Sequence, residues 1–90
     1  NCFIQLLYIM KEVEVKYLKS LGKNISRIRR QNNFSQLDIC AIISMEKSNL
    51  SSIENGRQNP TTLTLKKIAE AIGVEVKEFF FFKEKKEKIN

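Results

Sequence analysis

The sequence predicts an all-α fold, a compact bundle of short helices with a helix-turn-helix at its centre. Three observations carry this. Residues 34–60, FSQLDICAIISMEKSNLSSIENGRQNP, divide into two short amphipathic runs joined by a tight turn and closed by a polar exit that contains a glycine. Upstream, Leu21, Ile25 and Ile28 recur at helical spacing. Downstream, Pro60 and Gly73 bracket a third such pattern, Leu65, Ile68, Ala69 and Ile72.

The first helix is expected from Leu21 to the Asn32, Asn33 pair, with Lys23, Arg27 and Arg30 off its apolar stripe. Ser35 is placed to N-cap the second helix, in which Ile39, Cys40 and Ile43 share one face. After Ser44 and Met45, Glu46 is the expected cap of the third helix, residues 46–55. Leu50 and Ile53 mark its core side. Advancing about 100° per residue, Ser48, Ser52 and Asn55 then point nearly opposite the core, with Ser51 close by. That outer face is short, polar and almost uncharged. An ordinary solvated face is filled with Glu and Lys, whereas short hydroxyl and amide side chains let a helix backbone approach a groove and bond to base edges. Thr61 and Thr62 are candidate caps of the fourth helix, and Gly73 falls where a left-handed C-terminal cap would sit. Residues 74–82 are read as a short final helix or an extended exit.

These residues resemble the lambda-repressor-like, Cro-type helix-turn-helix family, also called the XRE family. The likeness covers about residues 21–80 and is carried by LGKNISRIRRQNN, by SQ opening the second helix, by SNLSSIENG, by RQNP and by TLKKIAEAIGV. The resemblance implies a compact five-helix DNA-binding domain. It implies that Gln36 contacts phosphate and braces the third helix, and that Lys47, Ser48, Asn49 and Ser52 touch bases. Asn55 and Arg57 then contact the DNA backbone, with Ser51 beside them, and Arg29 pairs with Glu54 inside the fold. The residues support the last point, since Glu54 adjoins the Leu50 and Ile53 face and needs a cation where it is buried. Two departures stand out. Ser44 replaces the usual turn glycine, which predicts a different bend or some strain. Leu37, Ala41 and Ile42 replace charged residues. Leu37 and Ala41 form an i, i+4 stripe that either packs on the N-terminal segment or a partner, or is a tolerated exposed pair.

Phe79, Phe80, Phe81 and Phe82 are consecutive, and four helical positions span about 300° of arc, so they cannot all face one core. The resemblance assigns them to a dimer interface; the alternative is internal packing with an exposed ring.

Ninety residues allow one small domain, 21–82, between an N-terminal extension, 1–20, and a charged tail, 83–90. The ends are expected to be less structured than the middle. Met10 is the expected native start, with residues 1–9 an upstream translation or a fragment end. These nine are apolar but short of the ~20 needed to span a bilayer, and they lack the marks of a signal peptide. EVEVK at 12–16 alternates with period two and is read as a strand or as a helical lead. The tail KEKKEKIN reads as a solvated segment.

The net charge of +6 favours a polyanionic partner. With no histidine and two distant cysteines, neither a zinc site nor a disulfide framework is implied, and a reducing cytoplasm fits. Cys40 is expected in the core. Neither a catalytic constellation nor a cofactor or small-molecule site can be assembled. The resemblance and the polar face of the third helix together imply a non-enzymatic transcriptional regulator that binds double-stranded operator DNA in its major groove as a homodimer. The alternative is a protein-interaction module or antitoxin-like subunit acting through Leu37, Ala41 and the phenylalanines.

Overall fold

The computed structural model describes residues 2–82. Among them are four α-helices, α1 (Cys2–Gln31), α2 (Gln36–Ile43), α3 (Lys47–Glu54) and α4 (Thr62–Ile72), followed by a 3-10 helix, Val76–Phe80. No strand occurs among the described residues. The expected fifth α-helix is thus a single 3-10 segment. Phe81 closes it by donating its N–H to Glu78 O, and the chain there follows the surface of α1 instead of continuing as an independent helix.

The largest departure lies at the N-terminus. The EVEVK alternation is helical, and residues expected to be loosely structured are part of one 30-residue helix. Between residues 2 and 31 Gly22 is the one breaker and there is no proline, so nothing stops the helix once the packed half has nucleated it. At 1.5 Å per residue such a helix is about 45 Å long, close to the 48 Å longest dimension of the molecule.

Helix ends are closed by local chemistry. α1 ends on Asn33 in the left-handed region (φ 67°), with Asn33 N–H on Arg30 O and Phe34 N–H on Arg29 O. Ser35 Oγ accepts from Asp38 N–H at 3.0 Å while Asp38 Oδ2 accepts from Ser35 N–H at 2.9 Å, a reciprocal cap on α2. Ser44 takes the left-handed conformation that the missing glycine would supply (φ 56°), letting Met45 N–H reach Cys40 O. The turn therefore keeps its route at a cost of roughly 1–2 kcal/mol of backbone strain. Thr61 Oγ1 caps α4 by accepting from Thr64 N–H, and Gly73 ends it with φ 96°.

Every α-helix contributes to one core. Leu21, Ile25 and Ile28 of α1 meet Ile39 and Cys40 of α2, Leu50 and Ile53 of α3, and the Leu65, Ile68, Ala69 and Ile72 stripe of α4. Phe79 seals it with no exposed surface. It is therefore a core residue and not a dimer contact, because burying a ring of this size is worth about 1.5–3 kcal/mol to the monomer itself. Leu37, Ala41 and Ile42 lie on the exposed side of α2. The charged tail lies outside the described residues.

Candidate nucleic-acid interface

α3 is positioned by what lies behind it. Leu50 and Ile53 are buried, and the helix crosses α1 at Gly22. A methyl group there would lie 2.4 Å from the carbonyl oxygens of both Ile53 and Glu54, so the crossing distance depends on a residue without Cβ. The loop leaving α3 packs as tightly. Gly56 has φ 75°, and a Cβ on it would stand 2.7 Å from Lys19 Cα.

A buried polar cluster then fixes the orientation of α3. Arg29 Nε donates to Glu54 Oε2 at 2.8 Å and Nη2 donates to Oε1 at 3.0 Å, a two-pronged pair with both side chains over nine-tenths buried. Arg29 Nη1 also donates to Phe34 O at 2.8 Å, which ties in the loop before α2. Gln36 Nε2 donates to Glu54 Oε1 at 2.8 Å. Glu54 thus joins α1, α2 and α3, and its charge is satisfied internally.

Facing away from this cluster, Lys47, Ser48 and Asn49 are exposed and Ser52 is half-buried. Among the described residues these four side chains make no hydrogen bond or ion pair. The expected N-cap role of Glu46 is not realised: it occupies the cap position with extended backbone, but its carboxylate makes no bond to the helix N–H groups. Asn49 and Leu50 N–H instead use the Glu46 carbonyl. Ser51 and Asn55 are tied together, Asn55 Nδ2 donating to Ser51 O at 2.9 Å and to Ser51 Oγ at 3.3 Å. Arg57 is exposed on the exit loop, its N–H bonded to Ser52 O at 2.9 Å. The outer surface of α3 thus carries short donors and acceptors with Lys47 and Arg57 nearby, a surface able to enter a major groove about 12 Å wide.

Two residues escaped the sequence reading. Gly22 left a usable signal, a glycine on the apolar side of an amphipathic helix beside Leu21 and Ile25. Asn24 left none. It is buried, and its Nδ2 donates to Phe79 O at 2.9 Å and Phe81 O at 3.1 Å while Oδ1 accepts from Arg27 Nη2 at 2.6 Å. It clasps the C-terminal segment onto α1. Of the four phenylalanines, Phe79 is inside, Phe82 is half-buried with its ring edge-on to Tyr17 at 5.3 Å, and Phe80 and Phe81 are exposed.

Burial pushes the Cys40 thiol up from its ordinary value, with Glu54 adding to the shift. Among the described residues no group of three or more His, Cys, Asp or Glu could hold a metal ion, and no helix is long and apolar enough to cross a membrane.

Comparison with known proteins agrees with this geometry. A helix-turn-helix family model, HTH_3, matches residues 25–79. An uncharacterized HTH-type transcriptional regulator of Sinorhizobium fredii, y4dJ, is 41% identical over 56 residues, 62% of this chain and 73% of that protein. The control protein C.MunI of a Mycoplasma species is 28% identical over 79% of this chain and 92% of its own. In fold, the chain is similar to the restriction-modification controller protein C.AhdI of Aeromonas hydrophila, with a TM-score of 0.67 and 24% identity over 70% of this chain and 96% of that one. With its buried cluster behind α3 and its polar outer face, the chain belongs to the XRE-type helix-turn-helix family of DNA-binding transcriptional regulators.

Proposed function

We propose that this regulator reads a palindromic operator as a homodimer, each copy placing α3 in the major groove. One observation carries the reading: the buried Arg29, Glu54 and Gln36 cluster braces α3 from behind while the side chains of Lys47, Ser48, Asn49 and Ser52 on its outer face are left unpaired. Lys47, Ser48, Asn49 and Ser52 are the proposed base-reading residues. Gln36, Asn55 and Arg57 contact phosphates, and Ser51 serves mainly by holding Asn55. One helix makes few base contacts, so two copies presenting α3 about 34 Å apart are needed for selectivity. Phe80, Phe81 and the open side of Phe82 contribute to the dimer seam. The protein acts in the cytoplasm without a cofactor and without catalysis. The names of its relatives favour a repressor or controller over the interaction-module alternative.

The test is a fluorescence-anisotropy titration against DNA from immediately upstream of its own gene, beside scrambled DNA, at two salt concentrations. Binding at least about 1000-fold tighter to the native DNA is expected. Equal and strongly salt-sensitive binding to both would refute sequence-specific reading.

A further inference from the structure

The N-terminal half of α1 carries apolar surface that the DNA-binding fold leaves unused. Leu6, Met10, Val13 and Tyr17 are spaced by 4, 3 and 4 residues and form one stripe along the helix, each between 49% and 60% exposed. The same register continues through Ser20 to Asn24. The chain itself reaches this register at its C-terminal end: Phe82 lies edge-on to Tyr17 and lines a recess with Ser20 and Asn24, and the buried Asn24 holds the Phe79 and Phe81 carbonyls. One helix stripe is therefore closed off at Asn24, touched at one edge by Phe82 at Tyr17, and bare from Leu6 to Val13.

We propose that the bare half pairs with the same stripe of a second copy, extending the dimer seam from the Phe80 and Phe82 edge along α1. Three points select a second copy. Residues 2–18 carry Lys11 and Lys16 against Glu12 and Glu14, so this segment of a strongly basic chain is neutral and unsuited to a polyanion. The charged tail, KEKKEKIN, has one apolar residue and is no cover for the stripe. Complete coverage of Leu6, Ile9, Met10, Val13 and Tyr17, each 49–60% exposed, and of Phe80, 37% exposed, brings two copies to roughly 1,100 Å², close to the lower bound of about 1,200 Å² for a specific interface. Self-complementary pairing about a two-fold axis is also the commonest form of assembly. The proposal rests on the dimer reading above for its stoichiometry and adds the element that supplies most of the contact.

Sedimentation velocity of the full chain over a concentration series tests it, with far-UV circular dichroism to confirm folding. Wild type is expected to dimerise. Met10→Glu combined with Val13→Glu is expected to raise the dimer dissociation constant at least about 100-fold, two charges being placed in the seam, while Lys11→Glu, off the stripe, leaves it unchanged. A Met10→Glu, Val13→Glu protein that dimerises like wild type overturns the proposal. If Phe81→Glu alone then gives monomers, the dimer reading survives without the stripe; if wild type is monomeric throughout, both fall.

Discussion

Replacing Arg29 by Ala removes both prongs on Glu54 and the bond to Phe34 O, leaving a nearly buried carboxylate with the Gln36 amide as its remaining partner in the cluster. Breaking a buried pair by deleting one member costs about 3–5 kcal/mol, chiefly because the other charge stays buried. A small domain is stable by roughly 5–15 kcal/mol, so the loss is a large share of the total. At about 4–8 °C per kcal/mol for a domain of this size, Tm should fall by roughly 12–40 °C. The decisive comparison is Arg29→Met with Glu54→Leu in one chain. Swapping both charges for apolar groups of similar volume is often neutral, so this protein should be more stable than Arg29→Ala. Urea and thermal unfolding followed by circular dichroism measure both. An Arg29→Ala protein within about 1 kcal/mol of wild type, which is the range of an exposed pair, would refute the account of Glu54 as a buried charge held by Arg29. A double variant as unstable as the two single losses added together would refute the coupling.

Gly22→Ala should cost about 1–3 kcal/mol by forcing α1 and α3 apart, and it should weaken DNA binding as well; a neutral effect in chemical denaturation would count against the close crossing. Ser44→Gly should stabilise by about 1 kcal/mol, since it relieves a left-handed serine in the turn, and a lower urea midpoint would contradict this. Cys2 is exposed and Cys40 buried, so a thiol reagent should titrate one group at once and the second only as the fold opens. Because the folded Cys40 pKa is raised, its contribution to stability is complete below the ordinary thiol value of 9.0 and is lost as pH rises through the folded value; a Cys40→Ala variant should lack that alkaline decline.

Where side chains repeat with a helical period, the sequence was readable. Leu50 with Ile53 and the Leu65, Ile68, Ala69, Ile72 stripe located α3 and α4, and Ser35 and Thr61 located the starts of α2 and α4, because caps and amphipathic faces are local properties. Arg29 with Glu54 came through family resemblance, the residues alone indicating only that Glu54 needed a cation. Glu46 misled because a carboxylate at the cap position need not turn back on its helix. Asn24 and Phe79 were illegible for a different reason: their partners lie 55 residues apart along the chain, and nothing local marks the meeting. The N-terminal half of α1 stayed open between strand and helical lead because EVEVK alternates, whereas its helical state depends on continuity with a packed segment downstream. A run of four phenylalanines could be seen to exceed one core, but which ring went inside depended on the 3-10 geometry.

The proposed reading of base pairs by the outer face of α3 is decided by operator titrations of Ser48→Leu and Ser52→Leu proteins whose Tm matches wild type. Each lost or blocked base contact should cost about 1–3 kcal/mol, so affinity for the native operator should fall at least about fivefold while binding to scrambled DNA stays the same. Undiminished preference for the operator in both variants would show that α3 does not read the sequence through this face.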